Sequence, residues 1–472
     1  MRDARIDLIL GRIEKDPGVI NEIIALLNSD IRSIKFNAIL VLGELGKRSI
    51  SGVPQIVECL EDNDWSICRE AVRSLGKIGE KSEKAVIEVS KLTENKESSI
   101  RKEAVVTLGK IGLVNNTAIN SLINALKDSD EAVRYEAAIA LGEIGFGASE
   151  ALIHLINSIK DQSWQVRTEA VKSLSKIGTK AKNAIILLLK ALGDKDWRVR
   201  KAVISTLAQI GSNVIPLFVK YLRHYDPLIR KGITEVLGEM RISSSEALMG
   251  LSLALNDKVK RVRAKAADAL RNIGEDAVPI LLENLENSNK KMKIIIISAL
   301  GGIGPDAKQA IPNLSSILTS KQEDISNRRE RIYSKSKITQ FELKILSFIK
   351  NVLRSKRQVY VEAVRALGNI GKDSEEAIAA LEYALVDPLY IIRREAALAL
   401  GKLGSSSKAA VPSLIKALND KSKLVRWRSS EALGMIKVMN DDVIASLEGL
   451  MHDRCDYVCE AAIDAIDKIK QQ

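Results

Sequence analysis

Val133-Arg134-Tyr135-Glu136-Ala137-Ala138-Ile139-Ala140-Leu141-Gly142-Glu143-Ile144-Gly145 reads V-R-x-E-A-x-x-x-L-G-x-I-G, and near-copies of it run through the 472 residues of the chain. The same pattern stands at Ile100 to Gly112 and, with one change, at Val166 to Gly178. Looser copies start at Ile34, Ile67, Val199, Ile229, Val262, Met292, Val359, Ile392, Val425 and Val458. Numbered in chain order, the quoted stretch belongs to repeat four of thirteen. Successive starts lie 33 residues apart, except for steps of 30 at Val199 to Ile229 and Val262 to Met292 and one of 67 at Met292 to Val359. A fixed period of this size marks a repeat architecture, in which each unit buries its apolar face only against its neighbours.

Each repeat holds two helical patterns. In repeat four, Ala118, Ile119, Leu122, Ile123, Ala125 and Leu126 recur at helical spacing and predict a helix A. Asp128-Ser129-Asp130 breaks it, and Val133, Ala137, Ala140, Leu141 and Ile144 then form one face of a helix B. Asp130 is placed to cap helix B, as are Asp64, Ser163, Asp196, Asp226 and Ser422 in other repeats. The last Gly of the motif suits a left-handed position after the helix. The inner one, Gly142, lies inside helix B, where it costs about 1 kcal/mol relative to Ala. Close approach of the next repeat would explain its recurrence. In the two 30-residue steps the turn between repeats is shortened: Pro216 and Pro279 follow Gly211 and Gly274 by five residues, whereas Pro54 follows Gly46 by eight.

The tract D-x-D-x-x-V-R-x-E-A-x-x-x-L-G-x-I-G resembles the short HEAT-like repeats of the phycobilin-lyase type. The match covers nearly the whole chain. It implies an all-α, right-handed α-solenoid, a superhelix of about thirteen helix pairs. It also implies that two columns, Arg at the second motif position and Asp five residues before the first, form a ladder between repeats. Here these are Arg101, Arg134, Arg167, Arg200, Arg230, Arg263, Arg393 and Arg426, and Asp62, Asp128, Asp161, Asp194, Asp257, Asp387, Asp420 and Asp453. Lys35, Cys68, Lys293, Tyr360 and Cys459 depart from the Arg column. The expected organisation is an N-terminal capping helix over 1–15, repeats one to nine with helix A of repeat ten over 16–319, a basic helical insertion over 320–357, and the remaining repeats over 358–472.

Composition narrows the function classes. Apolar residues make up 46% of the chain and aromatics 4%, so small aliphatic side chains fill the core. The net charge of +12 favours acidic partners. No uninterrupted apolar run predicts a membrane span, and the first residues lack the apolar core of a secretion signal. Four cysteines do not make a disulfide framework, which suggests a reducing cytoplasmic compartment. Deoxyhypusine hydroxylases, which share a HEAT-like fold, hold iron through His-Glu pairs, but His154, His224 and His452 are followed by Leu155, Tyr225 and Asp453. No motif particular to bilin-lyase chemistry is present. Cys455 and Cys459, one helical turn apart, read as small buried hydrophobes. The sequence therefore predicts no catalytic residue, metal or cofactor.

The informative positions lie on the outer face of helix B, which lines the concave side in HEAT-like solenoids. They fall two, six and ten residues after the motif's first position. In repeats two to six they read Arg69-Arg73-Lys77, Lys102-Val106-Lys110, Tyr135-Ile139-Glu143, Thr168-Lys172-Lys176 and Lys201-Ser205-Gln209. Eight of these fifteen are basic. Trp65, Trp164 and Trp197 stand two residues before the motif and Trp427 two after its start, near the same face. In the insertion, Lys321 to Arg357 carries 11 basic and 4 acidic residues, a difference of +7. Arg328, Arg329 and Arg331 belong to its polar half, and Phe341 and Ile345 to an apolar stripe that predicts a helix from about Ile338 to Arg354. These residues make a monomeric, non-catalytic scaffold or adaptor for a protein partner the leading expectation. The alternative is a nucleic-acid-binding solenoid using the basic track, and the third reading is a HEAT-like enzyme such as a bilin lyase.

Overall fold

The computed structural model describes residues 12, 16, 18–112, 115–178, 182–319 and 357–471, without the side chains of 80–82 and 182–183. Among these residues every regular element is helical, so the chain is an all-α solenoid. The expected capping helix over 1–15 and the insertion, with Arg328, Arg329, Arg331, Phe341 and Ile345, lie outside the described residues. The chain packs as two compact units, Met1–Val214 and Ile215–Gln472. Their boundary falls inside the first 30-residue step, between repeats six and seven.

In the first unit the B helices of repeats one to six are Arg32–Leu45, Trp65–Ile78, Ser98–Ile111, Glu131–Ile144, Trp164–Ile177 and Trp197–Ala208. In the second unit they include Pro227–Met240, Lys260–Ile273, Lys290–Ile303, Tyr390–Leu403, Lys423–Ile436 and Asp456–Lys470. The A helices between them are shorter, as in Val53–Glu58, Asn116–Ala125 and Ser245–Leu255. Val133, Ala137, Ala140 and Leu141 are buried, as the apolar pattern requires.

Most of the expected caps form. Asp130 accepts from the Ala132 N–H at 2.7 Å, Asp196 from Arg198 at 2.9 Å and Asp226 from Leu228 at 2.8 Å. Ser422 differs: its side chain makes no cap bond, although its N–H bonds the Asp420 carboxylate at 2.7 Å just as those of Asp130 and Ser163 bond Asp128 and Asp161. Asn289 caps repeat nine without having been read as a cap. The glycine that ends helix B also differs from expectation. Gly145 has φ 65° but ψ −134°, which is outside the left-handed helical well and in a region open essentially to Gly alone.

Two stretches, Glu131–Ser158 and Lys290–Thr319, are long and apolar enough to cross a membrane by length and composition, unlike the sequence expectation. Each is a helix B, a 3-10 turn and a helix A in succession, broken at Gly145 or Gly304, both of positive φ. Their apolar side chains, such as Leu141, Leu155, Ile296 and Leu314, are buried inside the repeats.

The inner glycine has the role its recurrence suggested. A Cβ added at Gly109 would lie 2.8 Å from the Ala140 Cβ of the next helix B, and one at Gly238 2.8 Å from that of Ala269. Successive B helices thus touch backbone to backbone, the Gly of one against a small residue two positions earlier in the next motif. In the first unit that small residue is often a hydroxyl that donates back across the contact. Ser74 bonds the Ile39 carbonyl at 2.9 Å, Thr107 that of Val72 at 2.9 Å and Ser173 that of Ala138 at 2.7 Å. Where Ser175 replaces the glycine, the Thr206 to Val171 bond lengthens to 3.4 Å. Where Arg271 replaces it, Gly302 on the next helix leaves room for the Arg side chain.

Candidate functional site

The ladder fixes which face of helix B is left for other work. Arg134 donates from Nε and Nη2 to both Asp161 oxygens, at 2.8 and 3.1 Å, and from Nη1 to the Asp128 and Ser129 carbonyls of its own turn, at 2.9 and 3.1 Å. Arg101 to Asp128, Arg167 to Asp194, Arg230 to Asp257, Arg393 to Asp420 and Arg426 to Asp453 repeat the two-oxygen fork. Planar guanidinium matched to planar carboxylate is the strong form of this bond. Lys35 keeps the rung with a single bond to Asp62 at 2.6 Å. The Cys459 thiol takes over only the carbonyl bond, to Asp453 at 3.2 Å. After each short step the Asp column holds His224 or Asn287, and Arg200 and Arg263 keep their carbonyl bonds. The ladder residues are half-buried or buried and belong to the architecture.

The predicted outer columns are largely outer. Arg73, Lys77, Lys102, Lys110, Lys172, Lys176 and Lys201 are exposed, while Arg69, Tyr135 and Ile139 are half-buried. Thr168 is the exception: it is buried, with its hydroxyl bonded to the Trp164 carbonyl at 2.8 Å.

Sequence reasoning passed over the motif's own Glu, at its fourth position. Glu70, Glu103, Glu136 and Glu169 form a row beneath the cations, with Glu70 and Glu169 buried. Arg73 reaches Glu70 at 3.7 Å and Glu103 at 3.5 Å, Lys102 reaches Glu136 at 3.8 Å, and Lys172 bonds Glu169 at 3.0 Å. Lys77 pairs instead with Glu44 at 2.6 Å. Four of the eight track cations are therefore paired with carboxylates, while Lys110, Lys176 and Lys201 have no ion pair among the described residues. Burial pushes the Glu70 and Glu136 carboxyls up from the usual range, and Oε1 of Glu70 has no hydrogen-bond partner. The 33-residue recurrence of the Glu was the signal that could have exposed this row.

In the second unit the same contact recurs. Arg365 bridges Glu362 at 3.3 Å and Glu395 at 2.8 Å. In repeats seven and eight its signs are reversed, with Lys265 between Glu235 at 3.3 Å and Asp268 at 3.6 Å.

The tryptophans occupy the edge where helix B begins. Trp65 and Trp197 are 52% and 60% exposed, large values for the residue type most often found at binding hot spots. Arg69 lies over the Trp65 ring at 4.8 Å. Trp164 is half-buried because Arg198 of the next repeat stacks on it at 3.5 Å. Asp196 holds that guanidinium through two bonds of 3.0 and 2.8 Å, and these bonds in turn draw the Asp196 carboxyl down to about 2. In the second unit Trp427 is half-buried, edge-on to Tyr457 at 5.6 Å and under Arg428 at 3.9 Å.

Among the described residues no group of three His, Cys, Asp or Glu side chains is arranged to hold a metal ion. A family model of HEAT repeats matches residues 20–108, 53–123, 89–175, 119–190, 154–223, 185–271, 248–332, 346–410 and 404–467. No curated protein sequence matches the chain. Among solved structures, one of importin beta is 14% identical over 99% of this chain and 69% of that one, with a TM-score of 0.47. The complex of CpcE and CpcF of phycocyanin lyase from Nostoc is 22% identical over 50% of this chain and 92% of that one, with a TM-score of 0.31. An engineered protein is 20% identical over 96% of this chain and 98% of that one, with a TM-score of 0.26.

Proposed function

Because the chain belongs to the HEAT-repeat family, we propose that it is a non-catalytic scaffold that binds a protein partner on the outer B-helix face of residues 65–201. One observation carries the choice over nucleic acid. The cations of the basic track stand above a row of glutamates, and half of them are paired with carboxylates. A phosphate-binding groove works by releasing counterions from nucleic acid onto free cations. Cations already neutralised within the protein contribute little to that. The same face carries the exposed indoles of Trp65 and Trp197, which suit an anchored protein contact better than a sliding one.

The test compares the natural protein with a Lys110→Glu, Lys176→Glu, Lys201→Glu variant. Both are used to capture partners from native lysate, with and without nuclease, and both are titrated with labelled oligonucleotide across about 50 to 200 mM salt. The expected result is a protein species that survives nuclease and is lost with the variant. Tight oligonucleotide binding that collapses across this salt range, with no such protein, would replace the proposal by the nucleic-acid reading.

A further inference from the structure

We propose that the edge of the first unit, between Trp65 and Trp197, is a docking strip for an extended acidic peptide with two bulky apolar side chains about ten to twelve residues apart. This rests on the reading of the B-helix face as a protein-binding surface and names the chemistry of the partner.

Three observations lead to it. The first is the placement of the anchors. Trp65 and Trp197 are each the first residue of a helix B, in repeats two and six of one compact unit. Four repeats separate them. With neighbouring helices about 8 to 10 Å apart, the indoles are roughly 32 to 40 Å apart. An extended chain covers about 3.3 to 3.6 Å per residue, which sets the anchor spacing.

The second is the order already present at the anchors. Arg198 is held on the face of Trp164 and gripped by Asp196, with Trp197 at 5.9 Å. Arg69 lies against Trp65. A guanidinium fixed beside an exposed indole presents hydrogen-bond donors and apolar surface together, and its side chain loses little further freedom on binding, although the Arg198 charge is shared with Asp196.

The third is the charge between the anchors. Lys102 in repeat three and Lys201 in repeat six stand on the column nearest this edge, with Arg69 at its start. Lys201 has no carboxylate partner among the described residues, and the Lys102 contact with Glu136 is long, at 3.8 Å. Several carboxylates stand on this edge: Asp130 caps Ala132 at 2.7 Å, Asp196 holds Arg198 at 2.8 Å and Glu131 accepts from the Ser163 hydroxyl at 2.7 Å, while the exposed Glu97 makes no cap bond. A segment lying there meets Lys102 and Lys201, which lack a close carboxylate, and carboxylates that, Glu97 apart, are already bonded. Acidic residues between the anchors fit this, and basic residues do not.

The experiment pans a phage-displayed random library of about 16 residues, long enough for both anchors, against the full chain. Enriched peptides are then synthesised and measured against Trp65→Ala, Trp197→Ala and Arg198→Gln variants whose melting is unchanged. We expect peptides of net negative charge with two aromatic or large aliphatic residues at the stated spacing. Each Trp variant should weaken them roughly thirtyfold, the scale of a hot spot. Halving the distance between anchors should cost as much as deleting one. Arg198→Gln separates a pinned cation from a bare indole, because it leaves both indoles in place and should still weaken binding. Failure to enrich any peptide overturns the inference, as does enrichment without paired anchors, or binding indifferent to the Trp variants. Peptides lost on the Lys110, Lys176 and Lys201 reversals but kept by the Trp variants would overturn this strip alone, leaving the broader reading in place. Displacement of every peptide by an oligonucleotide would overturn both.

Discussion

At the scale of single residues, two side chains of the motif answer to different rules. Arg134 satisfies two neighbours at once and is nearly hidden, whereas Lys102 lies over a long contact at the surface. Arg134→Ala should lower stability by about 2 to 3 kcal/mol, because it leaves a half-buried Asp161 without its charged donor. Lys102→Ala should change it by less than about 0.5 kcal/mol. Denaturant midpoints of the two variants check this, and equal shifts would reverse the assignment of inside and outside. Glu70 makes a prediction about pH. Burial raises its folded pKa above the unfolded carboxylate value of about 4.3. Its favourable contribution is therefore the neutral form, complete below that value and lost as pH rises through the folded one. Glu70→Gln should raise the melting midpoint at neutral pH, by about 1 kcal/mol of stability. The gain should vanish on acidification. A gain independent of pH would mean that the buried charge was not the cost.

At the scale of helices, the sequence carried the pairing of A with B and the placing of glycine at the helix contact. Gly109→Val tests that contact: a branched side chain must enter a space where Ala140 already lies 2.8 Å from the added Cβ. Overpacking of this kind costs about 1 to 3 kcal/mol. The melting midpoint should fall although Val forms helix at least as well as Gly. Less visible was what faced the contact. A hydroxyl such as Ser173 looks like any polar helix residue until the Ala138 carbonyl of the helix before it, 35 positions back, is seen 2.7 Å away. The Glu row escaped for a related reason. Each Glu lies beside cations in sequence and reads as ordinary surface, and only the fold shows Glu70 and Glu169 to be covered. Ser422 shows the reverse: a residue type that favours caps need not cap, although its N–H bonds the Asp two residues earlier as those of Asp130, Ser163 and Asp196 do.

At the scale of the whole chain, periodicity made the solenoid legible, because one motif recurs thirteen times and each copy repeats the same argument. The function was far less legible, since exposed columns carry no such redundancy. The ladder gives the array a shared response to acid. Burial alone would raise the Asp128, Asp257 and Asp420 carboxyls, but the Arg fork and a backbone N–H on each outweigh it, and all three are lowered. For Asp453 the Arg426 bonds are the largest influence. Groups with lowered folded pKa stabilise the fold above the unfolded value, about 3.9, and lose that contribution as pH falls through the folded one. The melting midpoint should therefore hold down to about pH 4 and then drop steeply as several rungs protonate together. A gradual decline beginning near neutrality would place the sensitivity in other groups.

The rungs of the ladder all run one way. Arg134 is tied to the carbonyls of its own turn and reaches forward to the carboxylate of Asp161, 27 residues later. A ribosome delivers the chain in that same sense. When a repeat leaves the exit tunnel, its guanidinium is already steadied by local carbonyls, and its carboxylate partner follows roughly one to five seconds behind at ordinary rates of synthesis. Wherever a rung exists, the arriving repeat meets a prepared seat on the one before it, like a tooth of a zip, and the short steps, with His224 and Asn287 in the Asp column, skip a tooth.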